Sequence, residues 1–582
     1  MVVFAATLQQ TATSKVWLHL LHFDTPTSTS NITTQSFFLS PDGNRNPESE
    51  LRATLQHYKQ DKTMVCRYPA RYLFLEQQGL IDGYEKSYQK CKGVRQKIAK
   101  LQATSLSVVY VSGYMKNPAS TFGHTFLKVN STKKQSELFD TTFSFGALVP
   151  EHENAFLYVV RGVSGLYEAS FRDRYFFTHD MVYSNTEQRD MWEYELNIPK
   201  NKINFLLLHL LELQNVHLKY YFFKRNCAYE VNYLLSMLGN EKLLPKWNLW
   251  YTPVESFIAY NNNKGYIKKI HYYSSKQKQI YRHYSSCSKK QQKEIGQIVA
   301  NKEKLAEVLE PLMVEEKTAV LDFLLQYTSY KIASLPKSKQ TSYNRFKKEL
   351  ILWRLRYPPT KQSKKEPEVQ PLISPEKSIY PTFVSLGGGY NQTKGSYVAL
   401  GFGGFDLSST NFNSLEGDQL SVLKGTIGFS HNKSFIQKFQ LLHLRKFARN
   451  PLEFEPYNLT WELQVGVNNL NEEKSVYDYF ANYAAGSTYY IYSLALAPLV
   501  EFSLHSKSDK ARVAPKVVAR GGYGRFKTVM SLGYEFGYDA VSSTVYEFSF
   551  CYTFNSSFAL SAEFEKRAVA KQQGHFGLEF HF

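Results

Sequence analysis

The chain has 582 residues, too many for one ordinary core, so several domains are expected. A composition that is 43% hydrophobic and 21% charged excludes a disordered chain. The net charge of +19 is scattered rather than gathered into a nucleic-acid module, so no nucleic-acid partner is expected, while 42 Tyr and 41 Phe suit long strands and a membrane-interface belt.

The start, Met1-Val2-Val3-Phe4-Ala5-Ala6, lacks a basic flank and a full hydrophobic region, and reads as the tail of a truncated signal peptide with cleavage near Ala6. No stretch is long enough for a membrane-spanning helix. Residues 1–105 read as a small helical domain without chemistry of its own, with helices from Val16, from Glu48 to Lys59 and from Leu80 to Leu101. His19 and His22 lie three apart on one helix, but no carboxylate or further histidine joins them, and no metal site is expected. The five cysteines, Cys66, Cys91, Cys227, Cys287 and Cys551, show no metal-ligand spacing; an oxidising compartment would allow Cys66 to pair with Cys91.

From Leu106 the hydrophobic period changes from 3.6 to 2, opening a domain over 106–285. Ser107–Ser112 reads as a strand, Gly113 with Asn117-Pro118 as a turn, and His124 as the first residue of an alternating strand. Leu138–Phe145 reads as the next strand, Gly162 and Gly165 punctuate a Tyr/Phe/Arg-rich stretch, and Ile203–Leu213 reads as a helix. Asn226-Cys227 then opens an amphipathic helix, Asn226 as its N-cap and Leu234, Leu235 and Leu238 on its apolar face. A thiol at a helix N-terminus beside Lys224 and Arg225 is biased towards thiolate. Gly123-His124 upstream supplies a base, so the two stretches read as a cysteine–histidine catalytic pair. The competing reading of Cys227 is a buried structural thiol.

Several segments resemble the Lnb-type N-terminal periplasmic domain family, formerly a domain of unknown function. They are Trp17-Leu18-His19-Leu20-Leu21-His22-Phe23, Phe37-Phe38-Leu39-Ser40-Pro41-Asp42-Gly43, Cys66-Arg67-Tyr68-Pro69-Ala70-Arg71-Tyr72, Phe122-Gly123-His124-Thr125-Phe126-Leu127, Arg189-Asp190-Met191-Trp192-Glu193-Tyr194 and Asn226-Cys227. The resemblance spans residues 15–355. It implies a permuted NlpC-like, papain-like thiol fold, in which histidine precedes cysteine as in the lecithin–retinol acyltransferase group, and a periplasmic thiol enzyme; the bacteroidal branch is implied to act as a lipoprotein N-acyltransferase. The family's Asn-Tyr-Gly-Ala run is Ser144-Phe145-Gly146-Ala147 here. If that asparagine orients the histidine, Ser144 must replace it through its hydroxyl.

Residues 286–356 read as a helical connector, and 357–381, with Pro358, Pro359, Pro367, Pro371, Pro375 and Pro381, as an extended linker. Residues 382–582 change character. Tyr546, Phe548, Phe550, Tyr552 and Phe554 alternate with Glu547, Ser549, Cys551 and Thr553, and the chain closes on Phe576, Leu578, Phe580 and Phe582. Segments of about ten residues with period 2 and a large aromatic face are the signature of a transmembrane barrel, here of about twelve strands. A soluble sandwich is the alternative.

The expected architecture is therefore multidomain α+β: helical domain, papain-like thiol domain, helical connector, linker and C-terminal antiparallel outer-membrane β-barrel. The expected function is acyl transfer or deacylation on outer-membrane lipids or lipoproteins, in the periplasm, through a Cys227 acyl-enzyme with His124 as base, Ser144 as third member, and Asn226 and Gly123 in support. No cofactor is expected. The alternatives are an NlpC-type peptidoglycan amidase or endopeptidase, and a barrel pore or adhesin with a scaffold thiol domain.

Overall fold

The computed structural model describes residues 8–582 except 116–119, 133–135, 151, 240, 246–249, 359–373, 392, 407–408, 410–417, 431–432, 456–457, 472–475, 508–509, 538–541 and 568–571. The Met1–Ala6 segment, the Asn117-Pro118 turn and Pro359, Pro367 and Pro371 of the linker lie outside the described residues. The chain folds as two compact units, Met1–Val182 with Met191–Tyr273, and Tyr183–Asp190 with Ser274–Phe582. The N-terminal helices thus share a unit with the thiol domain, and residues from Ser274 onward pack with the second unit.

The first unit is built on a seven-stranded antiparallel sheet. In chain order its strands are β1 Ala103–Val111, β2 His124–Ser131, β3 Thr141–Ala147, β4 Tyr167–Tyr175, β5 Met191–Leu196, β6 Leu218–Tyr220 and β7 Ile267–Tyr273. Their spatial order is β6-β4-β3-β2-β1-β5-β7. β1 lies inside this sheet and is buried continuously from Leu106 to Val111, as a strand covered on both faces must be. The strand expected from Leu138 begins only at Thr141, because the Ser136 hydroxyl accepts the Leu138 N–H and caps a short 3-10 turn over Glu137–Phe139.

The helices around the sheet are tied together by buried ion pairs. Arg71 Nη1 lies 2.6 Å from Glu50 Oε1. The Glu212 carboxylate accepts the N–H groups of Ala70 (2.7 Å) and Arg71 (3.0 Å), capping the helix Pro69–Gln77. The single helix expected over Leu80–Leu101 is instead two, Tyr84–Tyr88 and Lys92–Leu101. Cys91 sits between them and is bonded to Cys66, with Cα atoms 5.1 Å apart.

In the second unit, helices Lys276–Ser286, Lys289–Ala300, Val314–Ser334 and Lys337–Arg354 share a core that includes Ile280, Ile295, Leu321 and Phe323. The helix expected to run from Lys289 to Leu312 ends at Ala300, where Asn301 accepts the Glu303 N–H and turns the chain. This bundle grips one barrel loop: Leu452 enters its core, and Tyr327 and Lys331 each reach Glu455 at 2.9 Å.

Beyond it, twelve long antiparallel strands close into a barrel. The first, Phe383–Asn391, pairs with the last, Gln573–His581, and Val476–Gly486 pairs with Leu494–His505. Alternate residues point outwards and are large and apolar, among them Phe502, Leu504, Leu532 and Phe580. Their neighbours face inwards and are charged. Ion pairs cross between strands that are not neighbours in the sheet, Lys516 to Glu462 (3.0 Å) and Lys438 to Glu565 (2.6 Å), and Lys516 also meets Glu501 (2.5 Å) on the adjacent strand. An apolar exterior around a charged interior is the inverse of a soluble sandwich and fits a bilayer. No described helix is long and apolar enough to cross a membrane.

Candidate functional site

The histidine is set by a glycine. Gly123 has φ +98°, and a Cβ there would lie 2.7 Å from both the Tyr110 hydroxyl and the Val111 carbonyl oxygen. Only glycine fits this turn, which feeds directly into β2 at His124. β2 pairs with β3 so that Phe126 faces Ser144, and residues two apart on a strand share a face. The pairing brings the Ser144 Oγ to 2.9 Å from His124 Nε2.

The cysteine is set by its cap. The helix Cys227–Ser236 begins at the thiol residue and packs against β2 and β3. The Asn226 side chain accepts the N–H groups of Ala228 (3.1 Å) and Tyr229 (3.2 Å). Its amide donates to the carbonyls of Phe222 (3.1 Å) and Tyr251 (2.7 Å), so one asparagine starts the helix and holds two loops beside it. Cys227 is a free thiol and is 5% exposed.

Aromatic rings bind the two halves. Phe223 stacks on Trp250 with centroids 3.7 Å apart, and Phe122, one residue before Gly123, meets both edge-on at 6.0 and 5.8 Å. The turn that launches His124 and the loop that launches Cys227 are thereby packed on one aromatic cluster.

Two tyrosines unremarked in the sequence stand near the thiol. Burial, with smaller contributions from Tyr167 and the Cys227 charge, pushes the Tyr158 hydroxyl up to about 12. Burial and then Cys227 push Tyr220 well above the usual tyrosine value. Tyr158 comes from a helix, Ala155–Ser164, in the stretch read only as punctuated by glycines. No spacing rule points to it, because it reaches the site through the β3–β4 crossover.

Arg225 does not act as the adjacency suggested. Its Nε lies 2.8 Å from Glu230 Oε1 and its Nη1 3.2 Å from Asp24, so its charge is committed to carboxylates rather than offered to the thiol. Burial opposes ionisation of Glu230, but Arg225 and His22 outweigh it and hold the carboxyl below its ordinary value. His22 sits 3.5 Å from the same carboxylate, and burial pushes its imidazole down to about 4. The histidine pair His19 and His22 is thus part of a structural polar core around the cysteine helix.

His179 is also buried. Its ring stacks on Phe126 at 4.1 Å, Nε2 lies 2.9 Å from the Thr142 hydroxyl, and burial pushes it down to about 4. His217, ten residues before the cysteine, pairs instead with exposed Glu168 at 2.9 Å. Among the described residues, no cluster of three His, Cys, Asp or Glu side chains could hold a metal ion.

Residues 94–261 match the family model for the Lnb N-terminal periplasmic domain, and residues 9–78 match a domain of unknown function, DUF7843. No curated protein matches the chain. Among solved structures, the KdgM porin is similar at 10% identity, covering 34% of this chain and 99% of its own, with a TM-score of 0.21. LpxR from Salmonella typhimurium is similar at 12% identity, covering 34% of this chain and all (100%) of its own, with a TM-score of 0.20. Residues 94–261, which carry His124, Ser144 and Cys227, thus match the Lnb N-terminal periplasmic domain, and with the closed twelve-strand barrel that follows this fits an outer-membrane protein with a periplasmic domain.

Proposed function

We propose that the protein is a cysteine-dependent acyltransferase or deacylase acting on lipids or lipoproteins of the outer membrane. The supporting observation is the 2.9 Å contact between Ser144 and His124 Nε2, on the strand pair against which the Cys227 helix packs. With Nε2 engaged by the hydroxyl, Nδ1 is the ring nitrogen that takes the Cys227 proton. The thiolate attacks the carbonyl carbon of an acyl ester, and the Cys227 backbone N–H at the helix start helps stabilise the oxyanion. Collapse breaks the C–O bond, leaves a thioester on Cys227 and returns the imidazolium proton to the departing alkoxide. An amine or a water then attacks the thioester, His124 again taking a proton, and the acyl group leaves as an amide or a free acid. The barrel favours lipid substrates because the same chain that carries the thiol domain spans a bilayer.

The decisive experiment compares lipid and lipoprotein acyl profiles, by mass spectrometry, in cells carrying the wild type or Cys227→Ala. Loss of one acylated product in the variant is the expected result. Unchanged acyl profiles together with altered muropeptides would replace this reading with peptidoglycan hydrolysis. A thiol probe that labels Cys227 no faster than Cys287 would reduce the domain to a scaffold.

A further inference from the structure

The helix Ala155–Ser164 is built the wrong way round for a surface helix. Leu157, Val160 and Val163 are 45%, 42% and 46% exposed, and Leu166 just beyond it is 69% exposed. A helix beside water normally turns its polar face outwards, and an outward apolar face marks an interaction site. The helix's one charged residue, Arg161, is a cation that shares this outer side and is paired with the mostly covered Glu153. An apolar face of this kind suits the acyl region of a bilayer, with Arg161 at its edge held by Glu153.

The opposite side of the same helix reaches the cysteine loop. The Gly162 carbonyl accepts the Phe222 N–H at 2.9 Å, and the Phe222 ring lies within 2.7 Å of where a Gly162 Cβ would stand. Tyr158 meets Phe222 edge-on at 5.1 Å. One helix therefore carries an exposed apolar face and a packed face four residues before the helix cap Asn226. A bilayer is always within reach, because the chain's own barrel spans one, and tethering makes even a short apolar face sufficient.

We propose that Ala155–Ser164 is an interfacial platform that enters the acyl region of the periplasmic leaflet and presents phospholipid acyl chains to the Cys227 site. The platform's role as substrate entry rests on the acyl-transfer reading above; its contact with lipid does not.

The test uses the full chain reconstituted in phosphatidylethanolamine–phosphatidylglycerol vesicles containing a phospholipid with a diazirine on its acyl chain. After irradiation and proteolysis, mass spectrometry is expected to find adducts on the peptide spanning Leu157–Leu166 as well as on outward barrel positions. The triple variant Leu157→Ser, Val160→Ser, Val163→Ser is expected to lose at least about tenfold of the helix adducts, with barrel adducts in the same sample reporting its insertion. Adducts confined to the barrel, or helix adducts undiminished in the variant, would overturn the proposal. A second measurement needs no loss of apolar surface: Val160→Trp fluorescence is expected to be quenched by chain-brominated lipid, and quenching by aqueous acrylamide alone would overturn it. Helix adducts without any acyl group on Cys227 would leave the platform standing and remove the acyl-transfer reading; an acyl group on Cys227 without helix adducts would do the reverse.

Discussion

In the proposed mechanism Ser144 is the residue that orients the base. A hydroxyl 2.9 Å from His124 Nε2 fixes the ring's orientation, but as a rotor it does so less firmly than a planar amide would. Ser144→Ala is expected to lower turnover by roughly tenfold, whereas His124→Ala is expected to lower it by about 10²–10⁴-fold, measured as acyl-product formation. Ser144→Asn is expected to retain activity, and a variant less active than Ser144→Ala would contradict an orienting role. A second residue-scale prediction concerns acid. Burial depresses His179 to about 4 from its ordinary 6.5, so between those values the unfolded chain binds a proton that the folded chain refuses. Stability conferred by the neutral ring is thus complete above pH 6.5 and is lost as pH falls towards 4, by roughly 3 kcal/mol for one such group. His179→Gln, which keeps a partner for Thr142, is expected to flatten the thermal-stability curve of the periplasmic domain by one proton's slope in that window. An unchanged slope would show that His179 does not titrate there. The cysteine and histidine were legible in the sequence because each sits at the start of a recognisable element. Tyr158, Tyr220 and His179 were not, because strand pairing and a crossover helix bring them in. Arg225 was misread for a related reason: being adjacent to a thiol in sequence does not decide which way a long side chain runs, and Glu230 five residues on captures it.

At the scale of elements, the site depends on two short devices, a left-handed glycine and an asparagine cap. Gly123→Ala must either strain the turn or push Tyr110 and Val111 aside. A cost of about 1–3 kcal/mol is expected from the backbone alone. Because the turn leads straight into His124, the thermal transition should fall and the Cys227 alkylation rate should fall with it. A stable variant with normal thiol reactivity would refute the coupling. The elements most legible in advance were the barrel strands, since a period of 2 with rings on one side is set by the bilayer itself. The helix over residues 80–101 was misjudged at Cys91, where a disulfide to Cys66 interrupts a pattern that local propensity alone would continue. Ala155–Ser164 escaped notice because its apolar residues do not form the inward stripe by which surface helices are recognised.

For the molecule as a whole, the barrel interior decides between anchor and pore. Lys424, Lys438, Lys516 and Arg567 meet Glu563, Glu565, Glu462 and Glu501 across the lumen, and a cavity of about 50 Å³ lies beside Lys424, Lys438, Glu563, Glu565 and Arg567. That space holds a few waters at most. The reconstituted full chain is expected to show no steady porin-sized conductance in planar bilayers, and large stable openings would favour the pore reading. Glu462 is the keystone, since Arg445 (2.5 Å), Lys516 (3.0 Å) and His443 (2.8 Å) all converge on it. Glu462→Ala leaves Arg445 with only Glu547 at 3.9 Å while Lys516 keeps Glu501, and breaking a buried pair costs about 3–5 kcal/mol in comparable sites. The temperature at which the folded barrel shifts on a denaturing gel should drop accordingly.

The Cys66–Cys91 bond has a consequence for how the thiol survives its own compartment. An exported chain emerges N-terminus first, so Cys66 and Cys91 meet an oxidant before Cys227 has arrived. Bonding between consecutive cysteines then removes both as partners for Cys227, and the two free thiols that follow it, Cys287 and Cys551, are themselves buried. Once the Asn226 turn closes, Cys227 is largely buried and shielded from small oxidants as well. The order of cysteines along the chain thus acts as a sorting rule, assigning the first pair to structure and leaving Cys227 a free thiol.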